Sequence, residues 1–285
     1  MSRLGLAVHR FRTDALEVAG RVISWAATNG YEVVVDESDI ASLRSTAVLG
    51  GDVGDVDVLV SIGGDGTMLR SVHVLNGRVV PLIGVNLGQL GYLAVVEDDE
   101  VIEALDVWHN GTEGTEYHYD DRMLLEVSMW ANGARLSNHL AMNEVVIEKS
   151  EAGHTVRLGV DIDKAMFTTY AADGLILATP TGSTAYSMSA RGPILSPRLR
   201  AILMTPVSPH MLFDRSMVLD PQELVRIEIL GHRSVNVATD GELVHTLRPG
   251  DVVEVRAAQE VARFVRFKEQ RFHQTLKSKF GLSDR

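Results

Sequence analysis

Residues 56–76 read VDVLVSIGGDGTMLRSVHVLN. Val56 to Ile62 is a short run, mostly apolar on both faces, as a central parallel strand is. Gly63-Gly64-Asp65-Gly66 breaks it, and Thr67 to Asn76 reads as a helix. Strand, glycine loop and helix together place the loop at the outer end of a parallel strand, where α/β sheets hold ligands. Glycines there permit positive φ and a close approach of backbone to phosphate or ribose. The helix start adds free N–H groups and a positive dipole end. Asp65, hemmed by glycines, is accessible to a substrate hydroxyl. The same residues also read as a tight turn whose aspartate caps the helix. No Gly-Lys-Ser/Thr follows at P-loop spacing, and Gly-x-Gly-x-x-Gly is absent, so an ordinary Rossmann hydride enzyme is unsupported.

Outward from this loop the alternation continues. Leu4 to Val8, Tyr31 to Val35 and Val79 to Val85 read as strands. Asp14 to Asn29 reads as a helix with Asp14 placed to cap it and Gly30 to end it. Asp99 to Trp108 reads as a short helix ended near Asn110-Gly111. This predicts an α/β N-terminal domain with a largely parallel sheet. Near residue 115 the pattern changes to short strands with turn signals. Leu124 to Trp130 and Ala134 to Leu140 flank Asn132-Gly133, a strong hairpin signal. Val156 to Val160 and Met166 to Thr169 flank a second turn at Asp161 to Lys164. Leu175 to Ala178, Ala201 to Met204, Leu224 to Ile229, Val235 to Ala238 and Val252 to Val255 are further strands, which predicts an all-β C-terminal domain. Glu260 to Phe280 returns to a helix-permissive composition. The expected division is 1–115, 116–265, and a C-terminal segment 266–285 packing back on the first domain.

The 285 residues carry a formal net charge of -11. An acidic surface repels nucleic-acid phosphates, so no nucleic-acid partner is expected. There are no cysteines, which excludes disulfides, thiolate metal sites and cysteine nucleophiles. Met1 to Thr13 holds three arginines and no long apolar stretch, so it does not read as a signal peptide. No run of about 18 apolar residues exists, so no membrane partner is expected and a cytoplasmic location is.

Three further segments carry chemistry. Asn86 to Leu93 has two glycines after a strand and suits a loop passing near the first one. Asp173 to Ser187 runs from a strand into clustered hydroxyls, which suit ribose, phosphate or a base edge. Tyr186 offers a ring to stack on adenine. Asn143-Glu144 interrupts the apolar strand Ala141 to Ile147, and buried polar groups need partners, such as sugar hydroxyls.

Together these segments resemble the NAD kinase family over nearly the whole chain, in order. Gly63-Gly64-Asp65-Gly66-Thr67 alone is shared with diacylglycerol-type lipid kinases and, in similar form, with 6-phosphofructokinases. The run Ala178-Thr179-Pro180-Thr181-Gly182-Ser183-Thr184-Ala185-Tyr186-Ser187 is far more specific. The resemblance implies an α/β domain and an all-β domain with the nucleotide held between them. It implies phosphorylation of the 2'-hydroxyl of the adenosine ribose of NAD, giving NADP. Asp65 would be the general base or would orient that hydroxyl. Gly63, Gly64, Gly66 and Thr67 would admit the donor phosphates. Asp65, Gly66, Asn143 and Glu144 would contact the dinucleotide, and Asp173, Thr184, Ala185, Tyr186, Ser187 and Ser189 would line its adenine and nicotinamide subsites. Arg70 and His154 stand where the family often has basic or polar contacts. The expected donor is ATP or polyphosphate, with Mg²⁺ or another divalent cation carried chiefly by its phosphates; no protein metal site is expected. A homodimer or homotetramer is expected.

Three positions depart from the family pattern. Ala171 stands where Arg or Lys often precedes Ala-Asp-Gly. Arg191 stands where the family usually has a glycine, and Asp240-Gly241-Glu242 replaces Asp-Gly-Gln. The alternatives are a lipid kinase, with Val261, Phe264 and Val265 interleaved with Arg263, Arg266 and Lys268 as its membrane-facing surface, and a non-catalytic dinucleotide-binding protein.

Overall fold

The computed structural model describes residues 2–36, 43, 48–88, 91–267 and 272–282. Of the residues singled out above, Gln89, Leu90 and Lys268 lie outside the described residues. Internal contacts divide the chain into two units, Met1–Asp121 with Ala262–Arg285, and Arg122–Val261.

The first unit begins β1 (Ser2–Val8), α1 (Thr13–Thr28), β2 (Tyr31–Val35), β3 (Val48–Gly50) and β4 (Val58–Gly63). It continues α2 (Asp65–Leu75), β5 (Leu82–Asn86), β6 (Val96–Glu97) and α3 (Val101–Asn110). Its strands lie in the order β5-β4-β1-β2-β3, every pair parallel. β4 is buried along its whole length, as its apolar sequence requires. α1 presents Ala15, Val18, Ala19, Val22, Trp25 and Ala26 to Leu4, Leu6, Val33, Val60 and Ile83 of the sheet. That spacing is one face of a 3.6-residue helix. Burial of each large aliphatic contributes about 1.5–3 kcal/mol. β5 starts later than expected because Pro81 lacks the N–H that a central strand needs.

The second unit is mostly strand, with a short helix in the long connection 179–201 between strands. β7 (His118–Ala131) enters it and pairs with β8 (Ala134–Ala141) across Asn132 (φ 52°) and Gly133 (φ 78°). Positive φ at both central residues is the hairpin geometry that Asn-Gly favours. There follow β9 (Glu144–Lys149), β10 (Val156–Ile162), β11 (Ala165–Ala172), β12 (Gly174–Ala178) and α4 (Tyr186–Ser189). The last elements are β13 (Ile202–Val207), β14 (Met217–Leu219), β15 (Val225–Leu230), β16 (Val235–Thr239), β17 (Glu242–Leu247) and β18 (Val252–Arg266), then α5 (Phe272–Lys279) in the first unit. One antiparallel sheet runs β14-β13-β12-β9-β16-β17, and strands β11-β10-β15-β18 form another. Alternate residues of both, among them Val145, Ile147, Leu175, Leu177, Leu158, Val160, Ile227 and Val253, fill one core. The opposite face of the first sheet is covered too: Val146, Ile176, Ala178 and Leu203 pack with Ala190 and Leu195. β12 is therefore buried on both faces, which explains its unbroken apolar run.

Two expectations change. Among the described residues, the helix-permissive stretch Glu260 to Phe280 is helical only over Phe272–Lys279. β18 extends to Arg266, and its final turn of chain pairs Phe264 with Leu82 of β5. Phe264 and Val265 are buried, Arg263 makes two 2.8 Å bonds to Asp121, and buried Arg266 bonds Asp120 at 3.2 Å. These residues are structural, not a membrane-facing surface. Second, Asn143-Glu144 does not interrupt a single strand: Asn143 lies in a bend and Glu144 opens β9. β8 ends at Ala141 and β9 starts at Glu144, with a bend between them.

Candidate active site

Gly64 is the N-cap of α2, in extended conformation (φ -146°, ψ -165°), and no side chain caps the helix. Asp65 is thus not a cap. Its carboxylate reaches instead to the segment after β5. Oδ2 accepts the Tyr92 N–H at 2.8 Å, and Oδ1 accepts those of Leu93 at 3.0 Å and Ala94 at 3.3 Å. Gly91 makes this possible, because a Cβ there would sit 2.2 Å from Asp65 Oδ1. A carboxylate offers about four lone-pair sites. Three are used here, and one remains for a hydroxyl donor.

Beside the loop lies a cavity of about 430 Å³. Gly63, Gly64, Gly66 and Thr67 line it together with His9, Arg10, Arg12 and Arg70. A Cβ on Gly63 would meet Thr67 Oγ1 at 2.2 Å, whereas Gly64 and Gly66 face open space. Cationic walls around bare backbone suit phosphate oxygens. Arg70 donates to the Val8 carbonyl at 2.7 Å, which holds it against the end of β1. Arg12 pairs with Asp14 at 2.5 Å. The Asp65 carboxylate does not line this cavity. The sequence reading missed His9, Arg10 and Arg12. The signal was present: β1 and β4 are parallel neighbours, so the loops after them leave the sheet at the same end. Among the described residues, no group of three or more His, Asp or Glu side chains is gathered to hold a metal.

In the second unit, the Met142–Glu144 bend is built around Asp240. Its Oδ2 accepts the Met142 N–H at 2.7 Å; its Oδ1 accepts those of Asn143 at 2.6 Å and Glu144 at 3.0 Å. The Asp240 N–H donates back to the Glu144 carbonyl at 2.9 Å. These bonds replace a strand ladder at the bend, which is why the strand expected over Ala141 to Ile147 divides. Glu144 is 6% exposed, and its Oε2 has no hydrogen-bond partner. Burial first, then the neighbouring Asp240 charge, push its carboxyl up to about 7, opposed by the Tyr186 N–H. A buried carboxyl oxygen ordinarily has a hydrogen-bond donor, and this one lacks it.

The hydroxyl segment divides its labour. Thr179 Oγ1 donates to the Met142 carbonyl at 2.6 Å and accepts the Gly182 N–H at 3.0 Å. A Cβ on Gly182 would lie 2.0 Å from the Asn143 carbonyl. Ser183 bonds the Pro180 carbonyl, and Ser187 shares a 3.1 Å bond with Thr205. Ser187 is fully buried, so its hydroxyl holds the loop together and does not face solvent as a subsite side chain would. Thr184 and Ala185 are half-buried, and Tyr186 and Ser189 are exposed. Asp173 pairs with Lys149 at 2.6 Å, a partner the sequence reading missed. His154 sits on an exposed turn before β10, where nothing described joins it to Asn143 or Glu144.

Residues 4–112 match the ATP-NAD kinase N-terminal domain, and residues 142–267 match the ATP-NAD kinase C-terminal domain. The chain belongs to the NAD kinase family. The NAD kinase of Syntrophotalea carbinolica is 36% identical over 289 residues, covering 100% of both chains. That of Heliobacterium modesticaldum is 35% identical, covering 98% of both. A yeast NADH kinase solved with NADH superposes with a TM-score of 0.89 at 26% identity, covering 100% of this chain and 89% of that one. An Archaeoglobus fulgidus NAD kinase solved with ATP, at 22% identity and a TM-score of 0.72, shares the fold; 98% of this chain and 97% of that one are covered.

Within this chain, the Arg191 departure has a definite structural form. Arg191 has φ 66°, in the left-handed region. Its N–H bonds the Met188 carbonyl at 3.0 Å, and the Gly192 N–H bonds that of Ser187 at 2.8 Å. This pair of bonds is a Schellman ending to α4, with an arginine at the position glycine usually fills. A non-glycine residue in the left-handed region bears strain there. Ala171 lies on β11 opposite Arg157 of β10. Glu242 is exposed at the start of β17.

Proposed function

We propose that this member of the NAD kinase family phosphorylates the 2'-hydroxyl of the adenosine ribose of NAD to give NADP, with ATP or polyphosphate as donor. The observation that carries the residue-level reading is the Asp65 carboxylate, fixed by three N–H groups with one acceptor site remaining. Asp65 orients the acceptor hydroxyl and receives its proton as that oxygen bonds to the donor's terminal phosphorus and the bond from this phosphorus to the bridging oxygen breaks, releasing ADP or shortened polyphosphate. Gly63, Gly64, Gly66 and Thr67, walled by His9, Arg10, Arg12 and Arg70, hold the donor phosphates. A divalent cation carried by those phosphates as part of the donor would offset charge that develops during transfer. Asn143 and Glu144 take the ribose hydroxyls. Asp173, Thr184, Ala185 and Tyr186 line the rest of the dinucleotide site, with Ser187 acting through the loop it holds. The yeast relative with bound NADH and the archaeal relative with bound ATP support this assignment of acceptor and donor.

The test is direct. Purified protein with NAD, ATP and Mg²⁺ should yield NADP. NAD bound without NADP from ATP or polyphosphate would select the non-catalytic reading instead. We further place the protein in the cytoplasm as a homodimer or homotetramer. Edge strands β14 and β17, bearing exposed Val218 and Leu243, offer surfaces for assembly. Light scattering at micromolar concentration decides the state; a monomer there would remove that part of the reading.

A further inference from the structure

We propose that Asp240 is a positioning residue for the dinucleotide, acting through the Met142–Glu144 bend that presents Asn143 and Glu144. The inference rests on the assignment of those two residues to the ribose.

The geometry is specific. Asp240 follows β16 in a two-residue turn, at φ 49°, with Gly241 at φ 86°. A turn with two positive φ values fixes the aspartate tightly. From there one carboxylate gathers three successive main-chain N–H groups, at 2.7, 2.6 and 3.0 Å. The Asp240 N–H closes the ring on the Glu144 carbonyl at 2.9 Å. A bend between two strands would otherwise leave these donors to water or to chance. With them bound, the directions of the Asn143 and Glu144 side chains follow from a rigid main chain. Asn143 is fixed from a second side as well, since its carbonyl accepts the Thr179 N–H at 2.8 Å.

The same carboxylate acts on Glu144 through charge. Asp240 is the charged group that opposes ionisation of Glu144. The other elements against Glu144 bring Ala178 of β12, directly opposite, and Tyr186, whose main-chain N–H favours the charged form. Burial and Asp240 together leave Glu144 titrating near neutral pH. Ribose hydroxyls donate to an ionised carboxylate, so NAD affinity should rise as pH rises through that region. Removing the Asp240 charge should move the rise to lower pH.

The experiment compares wild type with Asp240→Asn, Asp240→Glu, Glu144→Gln and Glu144→Ala, by calorimetric NAD binding from pH 5.5 to 8.5, steady-state kinetics and thermal unfolding. Asn can satisfy two of the three N–H groups but turns an NH₂ toward the third. Asp240→Asn should weaken NAD binding roughly tenfold, the scale of a lost charge-assisted bond. It should leave the KM for ATP within about twofold, because the effect is confined to the dinucleotide side, and it should shift the pH-dependent limb downward. Asp240→Glu, which keeps the charge but displaces it, should weaken binding with the limb still near neutral pH. A folded Asp240→Asn protein with unchanged NAD affinity and an unmoved limb overturns the proposal. So does an equal rise in KM for NAD and ATP, which marks general loosening. Should neither Asp240 variant fold, the wild-type profile decides: absence of a limb that Glu144→Gln removes overturns it. Glu144→Ala separates the two failures. If NAD affinity survives that change, the ribose assignment falls first; if it does not, a null result at Asp240 sinks only the positioning role.

Discussion

Asp65 and Asp240 are held in nearly the same way and are asked to do different things. Each carboxylate accepts three successive main-chain N–H groups from a distant segment, residues 92–94 for Asp65 and 142–144 for Asp240. The surroundings differ. Asp65 stands at the first residue of α2 between two glycines that face open space. Asp240 stands on a tight turn beside a buried carboxyl, Glu144. Fixing a carboxylate by main-chain donors is therefore not in itself a catalytic signature. What distinguishes the two is the neighbourhood: glycines facing open space beside Asp65, and the buried Glu144 carboxyl beside Asp240.

The largest effect expected is at Asp65. Asp65→Asn should lower kcat by on the order of 10²–10⁴, the usual range for a lost acid–base group, while NAD affinity changes only a few-fold. Turnover above a tenth of wild type would erase the contrast with Asp240. Gly91 and Gly182 probe the same comparison from the side of the clamps. A Cβ at Gly91 meets the end of a side chain, Asp65 Oδ1, at 2.2 Å. One at Gly182 meets the Asn143 main-chain carbonyl at 2.0 Å. Gly91→Ala should thus displace the carboxylate and cost turnover with modest loss of stability. Gly182→Ala must move backbone and should cost about 3 kcal/mol, the upper range for overpacking. Chemical denaturation and kcat measured on both variants separate these outcomes; equal stability losses would contradict them.

The α/β half was legible because its strands and helices keep single periods and glycines mark their ends. The β half was legible as strands, since Asn132-Gly133 and the apolar runs carry their own signals. The loop at Gly63 to Thr67 was found by local chemistry alone. What stayed hidden depends on long-range partners. Nothing near Asn143 in the chain announces that Asp240, 97 residues away, shapes its bend. Nothing in the serine- and threonine-rich run tells which hydroxyls close the loop and which face outward: Ser187 looks like Ser189 until Thr205 is placed beside it. Glu260 to Arg266 is helix-permissive by composition, yet it continues the long strand β18, with Phe264 paired to Leu82 of β5.

Glu144 offers a test by pH. Its folded-state carboxyl titrates near 7 against an ordinary 4.5. The native state then binds more protons than the unfolded chain between those values, so stability falls as pH rises through that window and levels off above it. Glu144→Gln removes the loss. Relative to wild type, the variant should gain up to about 3 kcal/mol by pH 8 and almost nothing at pH 4.5. Denaturant titrations across this range measure it directly. A constant difference at all pH values would mean that Asp240 and burial do not act on Glu144 as the geometry requires, and the contrast between the two carboxylates would narrow to exposure alone.

The smallest effect concerns Arg191, whose strain lies in the loop that carries Tyr186 and Ser189. A left-handed conformation costs a non-glycine residue about 1–2 kcal/mol, and glycine returns part of that by loosening the unfolded chain. Arg191→Gly should therefore raise stability by about 0.5–1 kcal/mol, read as a small rise in Tm. The two Schellman hydrogen bonds are made by main chain and survive the change. If the arginine is there only as a tolerated substitution, NAD affinity should be unchanged. If instead its charge compensates for Ala171, stability should rise while NAD binding weakens. The two readouts moving in opposite directions would show that the strain is retained for binding.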